Sequence, residues 1–260
     1  MSGENYFDNS TLKTIMSFWI VIPTYNEKEN LARLIPELWK LKIPGLHVLV
    51  VDDNSPDGTG KLADHLERET KGKLICLHRP EKLGLGTAYL QGLAIALKNE
   101  AHVLGQMDAD FSHPVEKIPE MLQALENVDM VIGSRYVNGG SLDVHWAFWR
   151  KQLSSFGNAY ARAILGLPIQ DVTGGFKIWK RSTLERMPLQ RVRSNGYVFQ
   201  VEMNYLACRL GFKFAEVPIY FAERTWGESK MSFRIQTEAA FEVWQLLARY
   251  RDIQPIDRSS

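Results

Sequence analysis

Apolar residues in this chain gather in short unbroken runs, and between the runs they recur with helical spacing. Phe18-Trp-Ile-Val-Ile22 is the first run and ends at Pro23-Thr-Tyr25-Asn26-Glu27. From Glu27 to Leu41, residues Leu31, Leu34, Ile35, Leu38 and Leu41 follow a helical period. His47-Val-Leu-Val-Val51 is the second run and leads into Asp52-Asp53-Asn54-Ser55-Pro56-Asp57-Gly58, where Ser55 or Asp57 can cap a helix reaching about Thr70. Leu74-Ile-Cys-Leu77 predicts a third strand, and Gly84-Leu-Gly86 precedes a helix through Leu97. A fourth strand enters Asp108, a helix from Pro114 to Leu125 follows, and Met130-Val-Ile-Gly133 is the fifth strand. Strand alternating with helix predicts an α/β fold: a doubly wound, mostly parallel sheet with flanking helices.

Beyond Gly133 the rhythm breaks into an elaborated C-terminal half. Asn138-Gly139-Gly140 reads as a turn, Trp146 to Leu165 as an aromatic helix, and Gly174-Gly175-Phe-Lys-Ile-Trp179 as a tight loop entering a strand. Val198 to Leu210 predicts a helix, Phe214 to Ile219 a strand, and Phe233 to Tyr250 an amphipathic helix. The expected organisation is a loose tail over 1–16, one domain over 17–250, and a short polar tail over 251–260.

Composition adds limits. An apolar fraction of 45% and a charged fraction of 23% are ordinary for a globular chain of 260 residues. The net charge of +1 gives no global field to recruit nucleic acid. Charge is uneven, however: from Arg135 to Arg193 there are ten Lys/Arg against Asp143, Asp171 and Glu185. That surplus suits a solvated basic face, a phosphate-bearing partner or a membrane surface. Cys76 and Cys208 fit no disulfide framework or metal-knuckle spacing and read as small buried hydrophobes. With no apolar run of about 18 residues and no secretory leader pattern, the expectation is a cytoplasmic protein.

The chemistry concentrates where strands end. Glu27, Asp52/Asp53 and Asp108/Asp110 follow the first, second and fourth strands, and parallel strands put all three clusters on one edge of the sheet. Two carboxylates ~4 Å apart repel by about 4 kcal/mol at an effective dielectric of ~20 unless a cation or hydrogen-bond donors compensate them. Glu27 and Asp53 suit the donors of a nucleoside, Tyr25 offers a flat face to a base, and Asp110 suits a metal on a diphosphate. Helix capping and solvation are the plain alternative for any one of these carboxylates. Leu83-Gly-Leu-Gly86 lacks the dinucleotide spacing and reads as a loop. Arg135, Arg150, Lys151, Arg224 and Lys230 supply cations, the last two in a glycine-containing loop that can close over phosphates.

Pro23-Thr-Tyr-Asn-Glu27, Asp52-Asp-Asn-Ser-Pro-Asp-Gly58, Gly84-Leu-Gly-Thr-Ala88, Asp108-Ala-Asp110, Gly133-Ser-Arg-Tyr136, Thr173-Gly-Gly-Phe176 and Gly227-Glu-Ser-Lys230 occur in that order. Together, over roughly Phe18 to Tyr250, they resemble the dolichol-phosphate (polyprenol-phosphate) mannosyltransferases, which are inverting glycosyltransferases of the GT-A, Rossmann-like fold. The resemblance implies a GDP-mannose donor, a polyprenyl or dolichyl monophosphate acceptor and Mg2+ or Mn2+. It implies a nucleotide-sugar site of Pro23, Tyr25, Glu27, Val51, Asp53, Asp108, Ala109, Asp110, Arg135, Arg224 and Lys230. Asp108, Asp110 and Arg135 are the expected catalytic positions, and Arg135, Arg150 and Ser154 the expected contacts of the acceptor phosphate. Asp110 is the expected metal ligand; where the family often carries a glutamine this chain has Ser112, the expected second ligand. The chain resembles the members without appended transmembrane helices, and the resemblance leaves its membrane attachment unexplained; the expectation is a peripheral place on the cytosolic face of a membrane, with a small anchoring subunit as one route. Trp146, Phe148 and Trp149 beside Arg150-Lys151 suit such an interface, as do Phe233, Phe241, Trp244, Leu247 and Tyr250.

A phosphate acceptor fits these residues because, with a second pKa near ~6, it is already nucleophilic at neutral pH and needs no general base. The readings weighed against this one are a UDP-glucose-dependent glucosyltransferase, a nucleotidyltransferase and a catalytically silent binding subunit. The nucleotidyltransferase lacks its glycine- and lysine-rich triphosphate loop near the first strand.

Overall fold

Strand β1 (Phe18–Thr24) is buried along nearly its whole length, and its side chains divide by parity. Trp19 and Val21 enter one apolar layer with Leu49, Val51, Leu104 and Trp179. Phe18, Ile20 and Ile22 enter another with Val48, Val50, Val103 and Ile178. A strand covered on both faces reads as a continuous apolar run, which accounts for Phe18-Trp-Ile-Val-Ile22. The computed structural model describes residues 17–222 and 233–257, without the side chains of 233–239.

Helices α1 (Lys28–Lys40), α2 (Thr59–Glu69) and α3 (Leu85–Lys98) carry the chain to β2 (Leu46–Asp52), β3 (Leu74–His78) and β4 (Val103–Gln106). β1 pairs in parallel with β2 on one side and β4 on the other, with Phe18 opposite both Leu46 and Val103. β3 joins β2, also in parallel. The winding direction therefore reverses between β1 and β4, which is where a ligand crevice opens in such sheets. α3 crosses β1 closely: a Cβ on Gly92 would lie 2.3 Å from Val21 Cγ1, so any side chain there would lift the helix from the sheet.

The second half comprises α4 (Ile118–Ala124), β5 (Met130–Ser134), β6 (Ser141–Leu142), α5 (Phe148–Leu165), β7 (Lys177–Lys180), α6 (Arg181–Arg186), α7 (Gly196–Arg209), β8 (Phe214–Pro218), β9 (Tyr220–Phe221) and α8 (Phe233–Arg249). The strand order is β3-β2-β1-β4-β7-β5-β8, with β6 and β9 in a separate pair. β7 is inserted antiparallel between β4 and β5, so the sheet is mostly parallel. Trp179 anchors it, donating its indole N–H to Gln106 Oε1 at 2.7 Å across the β4–β7 boundary.

Some elements differ from their sequence expectations for local reasons. Pro114 is extended, Val115–Lys117 forms a 3-10 turn, and α4 starts at Ile118. Pro119 has no N–H to give the Val115 carbonyl, so an α-helical bond cannot cross that turn. The helix expected from Trp146 begins at Phe148, and Trp146 is buried before it. Residues 251–257 are tied to the body: Ile256 N donates to Leu210 O, Arg209 to Ile253 O, and Arg191 pairs with Asp252 at 2.7 Å. Residues 1–16, 223–232 (which include Arg224 and Lys230) and 258–260 lie outside the described residues. Among the described residues no helix is long and apolar enough to cross a membrane.

Candidate active site

The loops after β1, β2 and β4 meet at the switch point and bring together the three acidic clusters expected from the sequence. Asp52 is fixed by Thr24 Oγ1 at 3.0 Å, Ser55 N at 3.0 Å and Ser55 Oγ at 2.6 Å. Asp57 accepts from Thr59 N at 2.9 Å, capping α2, and from Lys28 N at 3.1 Å, which joins the first two loops. Glu27 receives Asn30 Nδ2 at 2.6 Å, while its own N–H goes to Thr59 Oγ1. Lys82 Nζ sits 3.6 Å above the centre of the Tyr25 ring, on the kind of face a base would use.

Asp53 is buried and paired with Arg79, Oδ1 to Nη1 at 2.6 Å. Arg79 also donates to Thr87 Oγ1 at 2.6 Å and Gly84 O at 3.3 Å, so the Gly84-Leu-Gly86 loop is fastened to Asp53. A carboxylate has about four acceptor sites, so Asp53 keeps capacity for a nucleoside hydroxyl. Val51 is buried with its side chain in the core, so it can serve a nucleoside only through its backbone.

After β4, Met107 N donates to Val21 O, and the chain then turns sharply through Asp108-Ala109-Asp110. Phe111 adopts φ 62°, an uncommon conformation for a bulky residue, and this curls Ser112 back onto Asp110. Asp110 Oδ1 receives Ser112 N at 3.1 Å and Ser112 Oγ at 2.5 Å. Asp108 Oδ1 receives the Tyr89 hydroxyl at 2.8 Å, and Asp108 N donates to His113 Nδ1 at 2.9 Å. Burial lowers the His113 pKa, with Asp108 and Asp110 opposing it. The ring is therefore neutral at pH 7, and with Nδ1 accepting, its proton is on Nε2. Burial and then Asp108 raise the Tyr89 pKa, so its hydroxyl stays a donor. Replacing Tyr89 by Phe leaves the ring stacked on Phe199 at 5.8 Å and removes only this orienting bond. A hydrogen bond to a charged group is worth about 1.5–3 kcal/mol, so Tyr89→Phe is expected to slow turnover roughly tenfold or more and to lower the melting temperature by a few degrees with the fold retained. An unaltered rate in a steady-state assay would remove Tyr89 from the site.

The donor set here is all oxygen, which matches hard divalent cations that hold phosphates. Asp108 and Asp110 can hold such an ion. Ser112, expected as a second ligand, donates its proton to Asp110 and orients that carboxylate in this geometry.

Arg135 extends from the end of β5 and is fully engaged with Asp171. Its Nε reaches Asp171 Oδ2 at 2.7 Å, its Nη2 reaches Oδ1 at 2.7 Å, and Nη2 also donates to Thr173 Oγ1. Burial opposes both charges, but the pairing outweighs it, so the Arg135 pKa is raised and that of Asp171 lowered. Expected to contact phosphate directly, Arg135 here first holds the Thr173-Gly-Gly-Phe176 loop. Lys177, fully buried, holds the same loop through Gly174 O at 2.7 Å and also donates to Gln200 Oε1. Burial pulls the Lys177 pKa down to about 7, against Asp171 and Asp108. A Cβ on Gly175 would stand 3.3 Å from the His113 ring, so this loop presses on the imidazole that holds Asp108. Arg135 and Lys177 are thus interior, and the basic surplus between Arg135 and Arg193 is not one exposed face.

Arg150 and Ser154 are one turn apart on α5 and share a face. Ser154 Oγ lies 2.9 Å from the Tyr136 hydroxyl, next to Arg135, and the Arg150 guanidinium stacks 3.8 Å over Trp146. Arg79, Tyr89, His113, Asp171 and Lys177 were not assigned roles from sequence. For Arg79, Tyr89 and Asp171 the partners lie tens of residues away, where no local pattern points to them.

Residues 19–187 match the family described as Glycosyl transferase family 2. A polyprenol monophosphomannose synthase from Mycolicibacterium smegmatis is 42% identical over 245 residues, covering 93% of this chain and 92% of that protein. An undecaprenyl-phosphate mannosyltransferase from Micrococcus luteus is 44% identical over 236 residues, covering 90% of this chain and 96% of that protein. Among solved structures, a mannosyltransferase from Pyrobaculum calidifontis in complex with GDP-Man and Mn2+ has a TM-score of 0.60 at 20% identity, covering 90% of this chain and 64% of that one. Glucosyl-3-phosphoglycerate synthase from Mycobacterium tuberculosis, in complex with Mn2+, UDP and phosphoglyceric acid, has a TM-score of 0.64 at 16% identity, covering 96% and 82%. At those identities the two structures share the GT-A fold with this chain and nothing finer.

Proposed function

The chain belongs to glycosyl transferase family 2 and is a glycosyltransferase, and from that premise we propose that it moves mannose from GDP-mannose to a polyprenyl monophosphate, with inversion at the anomeric carbon. The observation that carries the chemistry is the carboxylate pair Asp108 and Asp110, held by Tyr89, His113 and Ser112 at the switch point of the sheet. Support for the sugar and the acceptor comes from the 42% and 44% identity to two enzymes named for that transfer.

In this reading Pro23, Tyr25, Glu27, the Val51 backbone, Asp53 and Ala109 border the nucleoside, and Arg224 and Lys230, which lie outside the described residues, are the cations expected to bind the donor phosphates. Asp108 and Asp110, with Ser112 beside them, would hold a divalent ion, and Mg2+ or Mn2+ bound there would supply positive charge to the departing diphosphate. The chain's own part is positional. Tyr89 and His113 fix Asp108, and the Arg135–Asp171 pair fixes the loop behind it. Arg150 and Ser154 hold the acceptor phosphate in line with the anomeric carbon, while Arg135, committed to Asp171, supports that region from the interior. No general base is required, because the attacking oxygen is already ionised near neutral pH. The test is incubation with radiolabelled GDP-mannose or UDP-glucose, polyprenyl phosphate and Mn2+, followed by lipid extraction. Label reaching the lipid from GDP-mannose supports the proposal; label from UDP-glucose alone, or none from either donor, overturns it.

The acceptor's tail calls for an apolar approach, and α5 and α8 supply one. Phe148, Trp149 and Phe156 on α5 and Phe241 and Trp244 on α8 are exposed. Trp244 Nε1 donates to Tyr160 Oη at 2.8 Å and Phe156 stacks on Tyr160, so these aromatics share a face across the two helices. Arg150 and Lys151 lie at its edge, the mix that suits a membrane interface. Trp146, Leu247 and Tyr250, expected on that interface, are packed against the interior instead. Losing an apolar side chain from such an interface costs about 1.5–3 kcal/mol. The double variant Trp149→Ser/Trp244→Ser is expected to bind anionic vesicles at least about tenfold more weakly in sedimentation, with its fold intact. Equal binding would remove this face from the proposal.

A further inference from the structure

At the outer edge of the sheet, away from Asp110, three side chains of unlike chemistry converge. Cys76 and His78 are two residues apart on β3 and so share a face, and Asp64 reaches them from α2. One oxygen of Asp64, the Cys76 sulfur and one His78 ring nitrogen all lie within 4.8 Å of one another. His78 Nε2 and Asp64 Oδ1 are in contact at 2.7 Å, and their side chains are 50% and 41% exposed, so an ion can enter from solvent.

We propose that Asp64, Cys76 and His78 bind a zinc-class divalent ion, with water completing a tetrahedral shell. Thiolate, imidazole and carboxylate together favour Zn2+ or Co2+ over Mg2+ and Mn2+, whereas the carboxylates at the rim favour the hard ions. The two sites are therefore separable by metal. The surroundings are acidic as well: Glu67 Oε2 accepts the Cys76 N–H at 3.1 Å, and Asp52 stands opposite His78 on the neighbouring strand. A Cβ on Gly60 would lie 2.9 Å from His78 Cε1 and 3.0 Å from Asp52 Oδ2, so the lack of a side chain there lets α2 lie close to the His78 ring and to the end of β2. The same Asp52 ends β2 beside Asp53, so an ion here would pin α2 and β3 to the nucleoside side of the crevice. On binding, the Cys76 thiol gives up its proton to solvent as its sulfur joins the metal, so one proton leaves per ion taken up at that ligand. This inference does not depend on the transfer reaction proposed above.

The test is a Co2+ titration of the full chain followed by near-ultraviolet absorption, where a thiolate–cobalt charge-transfer band reports a cysteine ligand. The expected result is a band that saturates at about one equivalent and is discharged by Zn2+ but not by Mn2+. Cys208→Ser should keep it, Cys76→Ser should lose it, and His78→Asn and Asp64→Asn should each weaken binding at least about tenfold. His78 and Asp64 are half-exposed, so those two variants keep the test decisive if Cys76→Ser folds poorly. Absence of the band in the wild-type chain, its survival in Cys76→Ser, or unchanged affinity in both His78→Asn and Asp64→Asn would overturn the proposal.

Discussion

Asp110→Asn is expected to lower mannosyl transfer by about 10³-fold or more, since it would remove a ligand of the proposed ion, which would supply several kcal/mol to the departing diphosphate. The substitution is nearly isosteric. The amide oxygen of Asn can still accept Ser112 N and Ser112 Oγ, so the turn at Phe111 should persist and the melting temperature should hold. Turnover of labelled donor at saturating Mn2+, beside a thermal melt, separates lost chemistry from lost folding. Near-normal turnover in a folded variant would take Asp110 out of the reaction.

The second large effect is on stability. Asp171→Ala leaves the Arg135 guanidinium buried without its partner, a change that typically costs about 3–5 kcal/mol. It also releases Arg135 N, which donates to Asp171 Oδ2 at 2.9 Å. Arg135→Ala/Asp171→Ala should cost less than the sum of the two single variants, because no unpaired charge remains. The pH dependence has a definite sign. The Asp171 pKa is lowered on folding from an ordinary value of 3.8, so its contribution is complete above about pH 4 and is lost as pH falls through the folded value. Urea unfolding at pH 7 and near pH 3 measures this. The gap between wild type and Asp171→Ala should narrow at the lower pH; a gap that stays constant would mean that Asp171 is not the titrating group.

Much of the fold was legible because sheet burial prints itself on the sequence. Runs such as Phe18–Ile22 and His47–Val51 can only be strands covered on both faces, and strand–helix alternation then dictates parallel pairing. The Asp52/Asp53 and Asp108/Asp110 clusters were legible for the same reason: an acid directly after such a run must emerge at the sheet edge. What stayed hidden depends on contacts distant in sequence. Nothing local to Asp171 shows that it will meet Arg135, 36 residues earlier, and nothing local to Arg79 shows that it will close on Asp53. Tyr89 reads as one more apolar position of α3, yet its hydroxyl is what reaches Asp108. The orientation of β7 was also illegible, since Lys177–Lys180 has the composition of a strand in either direction. Trp146 and Trp149 look alike in a helical pattern, but one is capped by Arg150 in the interior and the other faces solvent.

The account rests on a cation gathering negative charge at Asp110, and diffraction from crystals grown with GDP-mannose and Mn2+ tests it most directly. An anomalous manganese peak beside an Asp110 carboxylate oxygen, with the nucleotide at the ends of β1, β2 and β4, is the expected result. A nucleotide bound away from the ends of β1, β2 and β4, with no manganese beside Asp110, would contradict it.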